Sequence, residues 1–136
     1  MERDCLQISM FGKKTIKLFE KQISLTELDL LLINLGMQKI EKVYSGYSTY
    51  KEKCTNAIAY KFDQSEIFVF TENNFIKDFF VNRFRFNENQ LVKNKLEEIL
   101  FSIGQKYDLI LNDWDITEVI DLSDRKQIQK YLNDEF

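Results

Sequence analysis

Between Lys39 and Phe86 four segments in succession alternate apolar and polar side chains, and that succession constrains the fold more than any other feature. Alternation with period two places neighbouring side chains on opposite faces of a pleated strand. Lys39–Tyr44 is the first segment, and the polar, tyrosine-bearing stretch Ser45–Asn56 after it reads as a loop or hairpin tip. Ala57–Phe62 and Glu66–Thr71, separated by Asp63-Gln64-Ser65, read as a β-hairpin. Asp78–Phe86 is the fourth, with Phe80, Phe84 and Phe86 on one face and Arg83 and Arg85 on the other. Strands following one another this closely favour an antiparallel sheet over βαβ units. Thr15–Phe19 alternates in the same way and is a further candidate strand.

Two helices bracket this region. Ser24-Leu-Thr-Glu27 is a capping box, and the helix it opens runs to about Leu35, where Gly36 suits a left-handed cap. Leu25, Leu28, Leu31, Leu32 and Leu35 form its inward stripe, which Leu30 and Ile33 widen until the helix reads as covered on most sides. Asn87-Glu-Asn-Gln90 opens a second helix, with Leu91, Val92, Leu96, Ile99, Leu100 and Ile103 at helical spacing and Gly104 at its end. Leu109–Leu111 and Thr117–Leu122 follow as short strands about a turn at Asn112–Asp115, then a final helix capped by Ser123 or Asp124. The expectation is one α+β domain over residues 1–136: a mainly antiparallel sheet of four to six strands, two longer helices on one side, and a short C-terminal helix.

Charge is unevenly placed. Residues 108–136 hold eight acidic side chains against three basic ones, a balance of −5, whereas residues 1–107 hold 14 acidic and 16 basic, a balance of +2. A negative end on a small domain steers a basic partner toward it and repels nucleic acid. Histidine is absent, which removes the commonest general base and metal ligand. The four glycines never cluster, so no phosphate-cradling loop is available. Cys5 and Cys54 lack metal-site spacing and read as free thiols. The longest apolar run, near Leu28–Leu35, is broken by Asp29 and Asn34 and is too short for a bilayer. The start Met1-Glu-Arg-Asp4 has no secretory-signal character, so a cytoplasmic protein is expected.

Each chemical motif has a plainer alternative. Asp113-Trp114-Asp115 offers two carboxylates to a cation, yet Asp and Asn are also ordinary turn formers, and the calcium-loop spacing fails. Asp124-Arg-Lys126 has the D-x-K form of a nuclease half-site but falls where a helix begins. Arg83 and Arg85 beside phenylalanines suggest an RNA platform, but the two residue types lie on opposite faces. Tyr44, Tyr47, Tyr50 and Tyr60 could extend a contact surface. Trp114, the one tryptophan, suits either an anchor for a partner or a closing piece of the core. No enzyme activity, cofactor or metal is expected.

The stretch Asn112–Leu132, with Asp113-Trp114, Val119-Ile-Asp-Leu122, Ile128 and Tyr131-Leu132, resembles the C-terminal ends of some immunity proteins of bacterial polymorphic-toxin and contact-dependent growth inhibition systems. That resemblance implies a stoichiometric inhibitor that binds the C-terminal domain of a cognate toxin, often a nuclease. The contact residues expected from the acidic segment are Asp113, Trp114, Asp115, Glu118 and Asp121, with Asp124 ranked lower because it caps a helix. The alternative is another small acidic binding protein, such as a phage-encoded inhibitor of a host nuclease or a regulatory adaptor.

Overall fold

The structure is a computed structural model that describes residues 9–12, 18–40, 44–47, 50–53, 57–85, 87–113 and 116–135, with the backbone alone for 9–12, 18–19, 44–47 and 50–53. Strand β1 (Ser9–Gly12) precedes a 3-10 turn at Leu18–Lys21 and helix α1 (Leu25–Asn34). Strands β2 (Gln38–Ile40), β3 (Tyr44–Tyr47), β4 (Tyr50–Lys53), β5 (Ala57–Phe62), β6 (Ser65–Glu72) and β7 (Phe75–Asn82) follow. Helix α2 (Gln90–Tyr107), β8 (Leu109–Asp113), β9 (Glu118–Asp121) and helix α3 (Arg125–Leu132) complete the order.

The fold is α+β, as expected. Among the described residues the main sheet runs β2-β5-β6-β7-β1-β8-β9 with every pairing antiparallel, and β3-β4 forms a separate ribbon. The sequence reading left Ser9–Gly12 unassigned; as the strand between β7 and β8 it brings the main sheet to seven. Because β7 and β8 are both antiparallel to β1, they run parallel to each other, and α2 is the crossover that joins them. Thr15–Phe19 is not the expected strand over its described part, since Leu18–Lys21 is a 3-10 turn; residues 13–17 lie outside the described residues.

Local chemistry accounts for most boundaries. At the β6–β7 turn Asn73 and Asn74 both take positive φ, +53° and +66°, as a twist-matched two-residue hairpin requires. At the β5–β6 turn only Asp63, at +55°, does so. Ser24 caps α1 by accepting the Glu27 N–H at 3.5 Å. That helix closes with Gly36 at φ +94° while the N–H of Met37 reaches back to the Leu32 carbonyl at 3.1 Å. The cap of α2 is Asn89, two residues after the expected Asn87, and it accepts from the N–H groups of Leu91 and Val92 at 2.9 and 3.3 Å. The helix continues through Gly104 to Tyr107, where Asp108 at φ +56° ends it.

All three helices lie over one face of the sheet. Leu28 and Leu32 of α1, Leu96, Ile99 and Ile103 of α2, and Ile128 and Leu132 of α3 join Ile67, Val69, Phe79, Val81, Leu109, Leu111 and Ile120 in one core. The other face carries a smaller cluster of Ala57, Ala59 and Phe68, flanked by Ile40, Phe70 and Phe80. Its central row follows the register Ile40–Ala59–Phe68–Phe80 on one side of β1 and Asn112–Val119 on the other. Phe70 and Phe80 meet edge to face with ring centroids 5.5 Å apart.

Three expectations about side chains are corrected. Leu30 and Ile33 are 59% and 42% exposed, so α1 is not covered on most sides. Leu91 is exposed, because the cap sits later than expected and its position turns away from the sheet. Phe80 and Phe84 do not share a face: β7 ends at Asn82, Arg83 takes φ +59°, and the reversal drives Phe84 into the main core while Phe80 stays on the opposite side. Phe86 lies outside the described residues.

A shift of register between Phe70 and Thr71 lets Ile76 and Phe79 both reach the main core and leaves Asp78 across from Phe70 on the helix-free side. Burial there raises the Asp78 carboxyl above its ordinary value, with Lys77 opposing in part. Since the folded-state value is the higher one, the native state holds the proton more tightly than the unfolded chain. Its stabilising effect is full below the ordinary value of 3.8 and is lost as pH rises through the raised value. Asp78→Asn is therefore expected to raise stability at neutral pH. Urea unfolding from about pH 4 to about pH 7 should show a smaller decline for Asp78→Asn than for the parent. An equal decline would trace the slope to another group.

Candidate functional site

The acidic C-terminal quarter folds around a buried charge. Asp113, the last residue of β8, is completely buried. Its Oδ2 accepts the Tyr131 hydroxyl at 2.9 Å and lies 3.5 Å from Arg85 Nε. Arg85 is itself only 12% exposed; its Nη1 donates to Asp134 at 2.7 Å, and its guanidinium carbon lies 6.0 Å from the centre of the Tyr131 ring. One cation thus ties the segment after β7 to the end of β8, to α3 and to the residues beyond it. Two charges out of water are tolerable only with such pairing and added hydrogen bonds. The expectation that Asp113 faces outward as a contact carboxylate is corrected: a side chain with no accessible surface, already paired by its own chain, cannot meet a partner.

The remaining expected contact residues do not form one patch. Trp114 and Asp115 lie outside the described residues. Glu118 and Asp121 bracket β9, yet they leave the strand on opposite faces, as the inward Ile120 between Val119 and Asp121 shows. Glu118 is exposed on the helix side. Asp121, half-buried on the helix-free side, accepts from the Ser123 N–H at 2.9 Å and the Ser123 hydroxyl at 2.7 Å. Asp124 caps α3 by accepting the Lys126 N–H at 3.0 Å, which accounts for Asp124-Arg-Lys126 as a helix start.

Strand β9 is one edge of the sheet. Leu122 donates its N–H to Leu109 at 3.2 Å, which fixes the alternation: Glu118 and Ile120 bond toward β8, whereas Val119 and Asp121 turn their backbone groups outward. The chain closes the Asp121 part of that outer edge itself. Gln127 Oε1 accepts the Asp121 N–H at 2.9 Å, and the Asp121 carbonyl accepts the Asp124 N–H at 3.1 Å. Val119, 54% exposed, is left at the end of the helix-free row beside Asn112, with carboxylates on either side of it along the strand. The sequence reading matched Val119 only as part of a resemblance and missed it as a surface residue. Its signal was the alternation Glu118-Val-Ile-Asp121, in which one of two adjacent apolar residues must face away from the core.

Two tyrosines mark the helical side. Tyr60 is fully buried, so it adds nothing to a tyrosine contact surface; its hydroxyl donates to Asp29 at 2.6 Å, and burial together with that carboxylate holds the phenol far above its ordinary value. Lys39 approaches the same Asp29 oxygen at 3.2 Å. Tyr107 donates to Glu27 at 3.2 Å and is raised by burial first and by Glu27 second. Of Tyr44, Tyr47 and Tyr50 only the backbone is described, in the β3–β4 ribbon.

A shallow cleft of about 560 Å³ lies between the β5–β6 turn and the segment leading into α2, lined by Asp63, Gln64, Arg83, Arg85, Asn87, Glu88 and Asn89. Its charges are mixed, and two of its side chains are committed elsewhere, Arg85 to the buried pair and Asn89 to the helix cap. Among the described residues no helix is long and apolar enough to cross a membrane. Comparison with protein-family models, curated proteins and solved structures gave no match.

Proposed function

We propose that this chain is a cytoplasmic immunity-type inhibitor, which binds the basic toxin domain of a bacterial polymorphic-toxin or contact-dependent inhibition system one to one and neutralises it. The observation that carries this reading is Val119, an exposed apolar side chain at a sheet edge with Glu118 and Asp121 to either side of it along the strand. A basic partner can cover the valine, gaining affinity from its burial, while the carboxylates steer the approach. The −5 balance of residues 108–136, reduced by the Arg85 charge that Asp113 and Asp134 hold, leaves a field of the same sign. A nuclease toxin must present cations to phosphates, and a negative edge can occupy that field. Trp114 and Asp115 complete the proposed contact; Asp113 does not belong to it.

The test is co-expression with the product of the gene directly upstream, where the proposal places the toxin. A one-to-one complex and rescue of growth are expected. Val119→Lys should weaken binding by about 1–3 kcal/mol, roughly 5- to 150-fold. Glu118→Lys, and Asp121→Asn, which keeps the acceptor for Ser123, should slow association and flatten its salt dependence. A complex indifferent to all three changes would move the contact to another surface. Capture of a host nuclease, with no affinity for the neighbouring gene's product, would favour the phage-type inhibitor instead.

A further inference from the structure

The outer face of α1 points to a second copy of this chain. Thr26, Glu27, Leu30, Ile33 and Asn34 are all exposed and fall on one side of the helix, opposite the buried Leu28 and Leu32. Leu30 and Ile33 are its apolar centre, one turn apart. Alongside, α2 runs antiparallel to α1. Glu27 Oε1 lies 3.4 Å from Lys106 Nζ at one end, and the Lys95 amine lies 3.6 Å from where a Cβ on Gly36 would be at the other. At the N-terminal end of the apolar pair Glu27 has Oε1 held by Lys106 and Tyr107 and Oε2 open among the described residues, and at the C-terminal end stands the base Lys95. Lys95 makes no ion pair with its own chain among the described residues.

We propose that this face is the contact of a symmetric homodimer in which α1 packs antiparallel against α1 of the second copy. A two-fold axis midway between Leu30 and Ile33 sets Leu30 against Ile33 of the other copy, and the reverse. The same axis carries Glu27 over Gly36 of the other copy, where Lys95 waits. Each end then gains an opposite-charge pair, and the arrangement is self-complementary, as an isologous interface must be. A single helix-on-helix contact is small, so association is weak and concentration-dependent. It leaves the β9 edge uncovered, and its test needs no toxin.

Sedimentation velocity at loadings up to about 0.5 mM provides the test. The parent should move from 16.3 kDa toward twice that mass as concentration rises. Leu30→Lys should weaken self-association about tenfold or more with no change in the unfolding midpoint, since the site is exposed. Glu27→Lys and Lys95→Glu should each weaken the dimer, and the double exchange should restore it. A parent that stays monomeric throughout, a dimer untouched by Leu30→Lys, or a double exchange that fails to rescue would each overturn the proposal.

Discussion

Replacing Arg85 with methionine is expected to lower stability by about 3–5 kcal/mol, the scale for removing one partner of a buried ion pair. Asp113 has no accessible surface, and without Arg85 its carboxylate loses the cation that lies 3.5 Å away while the Tyr131 hydroxyl remains. Methionine keeps the length of the arginine stem against Tyr131, so the loss reports the charge more than the packing. Asp113→Asn should cost less, about 1–3 kcal/mol, because the amide oxygen can still accept from Tyr131 and Arg85 keeps Asp134. The double variant should be more stable than the sum of the single losses predicts, since no uncompensated charge is left inside. Urea unfolding of the four proteins measures the coupling. A coupling near zero would mean that Asp113 is satisfied independently of Arg85.

The same cycle separates stability from binding. If Asp113 serves only the interior, Asp113→Asn should leave affinity for the proposed toxin partner unchanged under conditions where the protein is fully folded, while Val119→Lys weakens it with little effect on the unfolding midpoint. A folded Asp113→Asn protein that binds poorly would return Asp113 to the contact surface.

These residues also show what could be read from the chain. Caps and hairpins were legible because their chemistry is local: Ser24 before α1, Asp124 before α3, and the β5–β6 pair about Asp63-Gln64 all work within a few residues. The burial of Asp113 was not legible, since its partners Arg85 and Tyr131 come from 28 residues before and 18 after, and only the tertiary fold brings them together. An acidic segment read as a surface patch because sequence shows the charges and not the faces they leave by. On α1 so many positions are apolar that periodicity could not decide which side meets the sheet, and Leu30 and Ile33 were placed inside. Ser9–Gly12 was passed over because four residues are too few to establish a period, although two neighbouring strands bond to it.

Gly104 was read as a helix terminator, and its position inside α2 turns that misreading into a prediction with a decisive sign. Helix propensity alone favours Gly104→Ala by about 1 kcal/mol, because alanine restricts the unfolded chain and suits a helix interior. Packing opposes it. A Cβ at this site would collide with the Cβ and carbonyl oxygen of Leu122 and lie 2.6 Å from its carbonyl carbon. Leu122 cannot retreat cheaply: it is fully buried, and its N–H is bonded to Leu109. Relief requires α2 to move away from the end of β9, which opens the core they share. Overpacking of this kind costs about 1–3 kcal/mol, and a clash against backbone belongs at or above the upper end. Gly104→Ala is therefore expected to destabilise by about 2 kcal/mol net, and Gly104→Val by more, since a branched side chain adds bulk on the same side. Gln105→Ala, at the next and exposed position, should change stability by no more than about 0.5 kcal/mol. Unfolding measurements on the three variants decide between the two effects by direction. A more stable Gly104→Ala protein would show that α2 and Leu122 are not held as closely as the structure places them.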